Sequence, residues 1–179
     1  PQEGSILIDG IDISQIDPAD LRKKISYVPQ DIHLFRNTIK NNILGSYKFV
    51  DDEWMIKCSK ISGTDEFVKL HPVGYDMPIG ERGAGLSGGQ RQSVGIARAL
   101  INDSKIYLFD EPTNAMDQTS ESNVLNNLKE NLEEKTLFLV TQKMNMLDLV
   151  TRVIVMNQGE KVLDGDKMEI IKKLGVNNG

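Results

Sequence analysis

The sequence predicts an α/β domain, a mainly parallel sheet covered by helices, and three observations carry that expectation. Ile106–Phe109 is a short continuous apolar run that leads straight into Asp110, Glu111 and Pro112, the pattern of a strand buried on both faces. Before it, Val94, Ile96, Ala97, Leu100 and Ile101 fall on or near one face of a helical pattern that starts after Ser87. After it, Glu121–Leu132 is amphipathic, and Thr136–Val140 is a further apolar strand ending at Thr141-Gln142-Lys143.

The remaining elements follow in chain order. Ser5–Ile8 and Ile11–Ile13 flank Asp9-Gly10, a turn signal between short apolar strands. The stretch from Asp17 to Arg22 reads as a short capped helix, and Ile25–Val28 as a strand stopped by Pro29. From Thr38 to Val73 the pattern is mainly helical, with pieces at Thr38–Ile43, Asp51–Ile61 and Asp65–Leu70 whose Lys and Glu residues read as solvated faces. His71 beside Pro72 reads as a turn residue. Val153–Met156 and Lys161–Leu163 make a hairpin around Asn157-Gln158-Gly159. Met168–Leu174 closes the chain as a helix, and Asn177-Asn178-Gly179 reads as a frayed end.

A length of 179 residues suits one domain. With 39% hydrophobic and 26% charged residues the balance is that of an ordinary soluble chain. No apolar run is long enough to span a bilayer, and no signal peptide opens the chain. A net charge of -5 and a pI near 5.1 argue against nucleic acid as the main partner. Cys58 is the one cysteine, so no intrachain disulfide forms, and a cytosolic setting is compatible. At helical spacing with Trp54 and Ile61 it reads as packing. The chain starts at Pro1 without an initiator methionine and reads as a fragment or a processed piece.

Ser87 stands three residues before Gln90, the spacing of a capping box. Gly88 and Gly89 open the first turn, and their missing Cβ atoms let another molecule approach the backbone. Exposed N–H groups and the positive end of the helix dipole make such a turn an anion site. Ser-Gly-Gly-Gln alone also fits an ordinary capped helix; Asp110 and Glu111 change the weighting. They lie at or just beyond the carboxyl end of an apolar strand, where open α/β sheets bind ligands. A structural acid pair there would want basic partners, and the nearest, Lys105, is at the far end of the strand. Mg²⁺ suits Asp110, because it binds through one or two carboxylates, waters and substrate phosphates. Glu111 is then free to accept a proton from an attacking water.

The combination of Leu86-Ser87-Gly88-Gly89-Gln90, a helix, an apolar strand and Asp110-Glu111-Pro112-Thr113 resembles the nucleotide-binding domain of ABC transporters. The signature motif falls at Leu86–Gln90 and the Walker B motif at Ile106–Glu111. The resemblance covers nearly the whole chain. It implies a P-loop NTPase-like (RecA-like), mainly parallel sheet with an inserted ABC helical subdomain, lacking its N-terminal strands and P-loop. In those terms residues 1–179 are a single partial ABC ATPase domain, with α/β core portions at 1–36 and 104–179 and the helical signature subdomain at 37–103. Tyr27-Val28-Pro29-Gln30-Asp31 resembles the Q-loop, which implies a metal-sensing and coupling role for Gln30. His33-Leu34-Phe35 falls where family members meet the membrane domain, and His33 has no second metal-type residue beside it. His-Pro-x-Gly-Tyr-Asp at 71–76 and Gly-Glu-Arg-Gly-x-Gly at 80–85 resemble type I secretion permease/ATPases, including exporters of RTX adhesins. The second loop implies that Glu81 and Arg82 contact the membrane domain. Asn114-Ala115-Met116-Asp117 is the counterpart of the D-loop, which implies a contact of Asp117 with the partner subunit; a helix N-terminal acid favoured by the dipole fits the same residue. Gln142 stands where the family places a histidine. Pro1-Gln2-Glu3-Gly4 resembles the turn after the P-loop helix, and no G-x-x-x-x-G-K-[ST] occurs in the chain, so the P-loop is expected upstream of Pro1.

The resemblance implies an ATP-binding and ATP-hydrolysing domain of a membrane exporter, at the cytoplasmic face of the plasma (inner) membrane, with ATP and Mg²⁺ as cofactors. The implied partners are a second ABC domain in a head-to-tail dimer, expected to be a homodimer, and the exporter's transmembrane domains. Ser87, Gly88, Gly89 and Gln90 then bind the ATP of the opposite subunit. Asp110 and Gln30 hold the metal, Glu111 polarises the attacking water and Gln142 faces the γ-phosphate. Two readings compete. One is a catalytically silent half-site donor that only supplies a signature motif. The other is a soluble ABC ATPase of DNA repair or translation, against which the Gly80–Gly83 loop and the acidic pI speak. Without a phosphate cradle, the isolated chain is expected to bind MgATP very weakly and to hydrolyse none.

Overall fold

A computed structural model describes residues 3–47 and 49–175; the expectations for Pro1-Gln2 and for Asn177-Asn178-Gly179 lie outside them. β1 (Leu7–Ile8) and β2 (Ile11–Asp12) pair antiparallel about Asp9-Gly10. Both turn residues have positive φ, 49° and 81°, as a type I′ hairpin turn requires. α1 (Pro18–Lys24) starts on Asp17, whose carboxylate accepts from the N–H groups of Ala19 and Asp20, with Pro18 in the first turn where a missing N–H costs nothing. β3 (Ile25–Val28) follows and stops at Pro29.

The next part is mainly helical: β4 (Asn37–Thr38), α2 (Ile39–Leu44), α3 (Asp52–Ile61), α4 (Thr64–Val68) and β5 (Pro78–Ile79), with β4 and β5 paired antiparallel. Side-chain caps from Thr38 and Asp51 start α2 and α3. These helices pack against α5 (Gly88–Leu100). The indole N–H of Trp54 donates to the Ile101 carbonyl at 3.1 Å, which fixes α3 on the end of α5. Cys58 is fully buried in this core, and burial pushes its thiol up to about 12, the packing role expected of it.

β6 (Ile106–Asp110), α6 (Gln118–Leu132) and β7 (Thr136–Val140) come next. β8 (Arg152–Asn157) and β9 (Glu160–Asp166) form a longer hairpin than the sequence pattern indicates, turning at Gln158-Gly159, and α7 (Lys167–Lys173) packs on it. α6 begins at Gln118 rather than Glu121, because the Asp117 carboxylate caps it through the N–H groups of Thr119 and Ser120.

The sheet that positions the site has the order β3-β6-β7, all parallel, with Val28 beside Phe109 and Asp110 beside Val140. Among the described residues β6 packs against helices on one face. Tyr107 and Phe109, each 1% exposed, join Val28 in the core with residues of α5 and α6, while Tyr27 and Phe138, on the opposite face, are 57% and 61% exposed. Periodicity does not separate one-faced from two-faced burial here, because the outer positions are Leu, Tyr and Phe as well. Among the described residues nothing covers that second face, and β7 has a neighbour only on its β6 side.

Candidate functional site

Parallel register brings the carboxyl ends of β3, β6 and β7 to one edge of the sheet. Gln30 follows β3, Asp110 closes β6 with Glu111 just after it, and Thr141-Gln142 follow β7. Residues far apart in sequence are thereby assembled at the place where an α/β sheet binds ligands. Glu111 turns sharply out of the strand. Its φ is +44°, a strained conformation for a non-glycine residue, and its N–H donates to the Val140 carbonyl at 2.9 Å. The Glu111 side chain is buried, with Oε1 accepting from the Gln142 N–H at 2.9 Å and Oε2 from the Thr141 hydroxyl at 3.2 Å. Gln142 itself is exposed, so its side-chain amide faces solvent.

The signature segment forms the capping box the spacing predicts. The Ser87 hydroxyl accepts from the Gln90 N–H at 3.1 Å, and the Gln90 side-chain Oε1 accepts from the Ser87 N–H at 2.9 Å. For a ligand this leaves the Ser87 hydroxyl proton, the Gly88 and Gly89 N–H groups and the Gln90 side-chain NH₂. The two glycines have a second reason to be glycine. A Cβ on Gly88 would lie 2.8 Å from Ala115 Cβ, and one on Gly89 would lie 3.1 Å from the Ala115 carbonyl oxygen. The first turn of α5 thus rests directly on the 115–116 backbone of its own chain. A pocket of about 350 Å³ opens beside it, lined by Ser87, Gly89, Gln90 and Asp117 together with Glu66 and Phe67.

Asp117 is exposed and spends both oxygens on capping, Oδ1 on backbone N–H groups and Oδ2 on the Ser120 hydroxyl at 2.7 Å. The Ser120 N–H and hydroxyl hold its carboxyl below the usual range. Glu81 and Arg82 are exposed on a tight loop closed by the Gly80 N–H to Ala84 carbonyl bond, with Arg82 at φ +53°. The segment after Gln30 is locked to α5. Ile32 fills the notch at Gly95, where a Cβ would come within 2.5 Å of it. Arg98 donates to the His33 carbonyl at 3.0 Å and to the Asn42 carbonyl at 2.7 Å.

Sequence reasoning missed Gln92, Glu121 and Lys143. Gln92 is 5% exposed, with Oε1 accepting from the Ala115 N–H at 2.7 Å and Nε2 donating to the Glu111 carbonyl at 3.4 Å. The signal for it was a polar amide among the buried positions of α5. Glu121 was assigned to an amphipathic helix, yet it is 6% exposed and paired with Lys143 at 2.6 Å. Burial raises its carboxyl, but the Lys143 ammonium, the Thr113 hydroxyl and the Asn145 amide outweigh burial and hold it below the usual range. Nothing local in the sequence announced a pair separated by that much chain.

The donor chemistry fits Mg²⁺. One carboxylate, Asp110, ends β6 and one amide, Gln30, follows the adjacent β3, a set that phosphate oxygens and water would complete rather than an all-protein cage. No cluster of three or more His, Cys, Asp or Glu that could hold a metal ion is found among the described residues.

A family profile described as ABC transporter matches residues 1–114. The leukotoxin export ATP-binding protein LtxB of Aggregatibacter actinomycetemcomitans is 37% identical over 172 residues, 96% of this chain and 24% of that protein. The leukotoxin translocation ATP-binding protein LktB of a Pasteurella haemolytica-like species (strain 5943B) is 39% identical over 179 residues, 100% of this chain and 25% of that protein. The chain therefore spans about a quarter of the length of these relatives. A solved structure of a bacterial Atm1-family ABC exporter with ATP bound superposes with a TM-score of 0.91 at 32% identity, over 97% of this chain and 30% of that one. Among the described residues no helix is long and apolar enough to cross a membrane. Profile, relatives and fold agree with the signature turn and the strand-end carboxylates: the chain belongs to the ABC transporter family.

Proposed function

We propose that this chain is the ATP-hydrolysing part of a membrane exporter of the type I protein secretion class, working at the cytoplasmic face of the membrane. The observation that carries the reading is the convergence of Gln30, Asp110, Glu111 and Gln142 on one sheet edge, in a chain whose capping-box helix opens with two glycines. Phosphoryl transfer to water needs positioning and charge stabilisation more than covalent help. Asp110 and Gln30 hold Mg²⁺, which when bound neutralises phosphate charge. Glu111 takes the proton of the attacking water, and Gln142 donates its amide to a γ-phosphate oxygen. Ser87, Gly88, Gly89 and Gln90 bind the ATP carried by a second ABC domain, a copy of the same protein. Asp117 faces that copy, while Gln30, Glu81 and Arg82 transmit closure to the transmembrane domains. The helical portion at 37–103 acts as the unit that carries the signature, and the portions at 1–36 and 104–179 as the catalytic core. The phosphate cradle is supplied outside these 179 residues, and the isolated chain is inactive.

The test is Glu111→Gln in the full-length protein. The substitution is isosteric, and the Thr141 hydroxyl can rotate to suit the new amide, so ATP binding is retained. Loss of a general base lowers turnover by roughly 10²–10⁴-fold. Unchanged steady-state hydrolysis would remove Glu111 from the mechanism. A wild-type protein that binds ATP but never turns it over would favour the half-site donor.

A further inference from the structure

Glu121 is a buried carboxylate that the reaction above leaves without a task. It sits in the first turn of α6, just behind Asp117, and both its oxygens are occupied. Oε1 accepts from the Lys143 ammonium at 2.6 Å and from the Thr113 hydroxyl; Oε2 accepts from the Asn145 amide at 3.0 Å. Lys143 also donates to the Thr113 carbonyl at 3.1 Å. Three segments thus meet on one carboxylate: the turn that follows Glu111, the start of the helix behind Asp117, and the loop after β7. Lys143 is covalently next to Gln142, whose N–H holds Glu111 Oε1 at 2.9 Å. Its own N–H donates to the Thr141 hydroxyl at 3.0 Å, the same hydroxyl that donates to Glu111 Oε2.

We propose that Glu121 and Lys143 are positioning residues for ATP hydrolysis, the ion pair between the buried Glu121 carboxylate and the half-buried Lys143 ammonium holding the 141–143 loop so that the Gln142 N–H and the Thr141 hydroxyl aim the Glu111 carboxylate. The proposal rests on the ATPase reading given above. Removing Lys143 leaves the buried Glu121 carboxylate without its cation, which is unfavourable, so the loop keeps one arrangement while the pair is intact. Neither side chain touches the reacting atoms. The same clamp ties the 141–143 loop to α6, and so joins the residue that faces the γ-phosphate to the helix behind Asp117.

The experiment uses the full-length protein in lipid nanodiscs, with Lys143→Met, Lys143→Arg and the double variant Glu121→Gln/Lys143→Met. Two readouts are taken: steady-state ATP hydrolysis as kcat and KM, and amide hydrogen exchange at Gln142. Lys143→Met should lower kcat about 10- to 100-fold, the scale of an ångström-sized misplacement, with KM within about 2-fold and Gln142 protection lost. Lys143→Arg, which can donate to both Glu121 and the Thr113 carbonyl, should restore kcat to within about 3-fold and restore protection. The double variant removes the uncompensated charge; it should fold as well as wild type while its kcat stays low. Unchanged Gln142 exchange in Lys143→Met overturns the clamp whatever the turnover. Equal kcat in all variants also overturns it, as does a fall in kcat that Lys143→Arg does not reverse. Absence of ATP hydrolysis in the wild type, with normal Gln142 protection, would overturn the ATPase reading and with it the catalytic role of the pair.

Discussion

Gln92→Met keeps the volume of the side chain and deletes both hydrogen bonds that hold the 111–115 turn to α5. The stronger one, the Ala115 N–H to Oε1 at 2.7 Å, is a normal neutral bond; the other, Nε2 to the Glu111 carbonyl at 3.4 Å, is long. A neutral bond contributes about 0.5–1.5 kcal/mol net, and a buried group left unpaired costs about 1–3 kcal/mol. Ala115 is exposed, so water can serve its N–H, whereas Glu111 is buried. The sum is about 1–2 kcal/mol, with the larger share falling on the turn that carries Glu111. If the whole of that sum were felt in the transition state, kcat would fall about 5- to 30-fold, since about 1.4 kcal/mol is tenfold in rate, and a smaller share lowers kcat correspondingly less. ATP affinity should hold, because Gln92 bonds only backbone atoms of the 111–115 turn and none of the side chains proposed to hold nucleotide or Mg²⁺. The assay is steady-state hydrolysis by the full-length protein, with hydrogen exchange of the Ala115 N–H as the structural control. Faster exchange at Ala115 with kcat unchanged would refute the idea that the turn must be held for Glu111 to act. A loss of ATP affinity as large as the loss in kcat would refute the division between the two.

The remaining expectations concern the glycines and Gln142. Gly89→Asp places a Cβ about 3.1 Å from the Ala115 carbonyl oxygen and a carboxylate near it, so two effects combine: repulsion of an incoming phosphate, and overpacking that typically costs about 1–3 kcal/mol. Gly89→Ala should show the second effect alone, so comparing ATP-driven dimer closure and thermal stability in the two variants separates them; identical closure defects would leave packing as the whole cause. Gln142→His in the full-length protein should raise turnover most below about pH 6.5, where an unperturbed imidazole is protonated. A charged donor makes a bond roughly twice as strong as a neutral amide, and the gain should fade as pH rises through the imidazole range. A flat ratio of the two enzymes from pH 5.5 to about pH 8.5 would show that position 142 does not meet the phosphate.

The chain itself determined most of the local structure, because the signals are local. Ser87 and Gln90 at capping-box spacing, Asp17 before Pro18, and Gln158-Gly159 between alternating apolar runs each act within a few residues. The strand Ile106–Asp110 and the placement of Asp110 and Glu111 at its end were legible for the same reason. Tertiary structure decided what depends on neighbours distant in sequence. Whether β6 is covered on one face or two depends on what packs against Tyr27, Leu108 and Phe138, and apolar side chains look alike in either case. That Gly88 and Gly89 are needed by the Ala115–Met116 backbone is a matter of an approach of about 3 Å between segments joined through α5 and β6. The burial of Glu121 is the sharpest instance. On its own helix it reads as a solvated acid, and only the fold, which brings Lys143 and Asn145 round in the loop after β7 to meet it, turns a surface charge into a buried one whose loss would leave its partner unpaired.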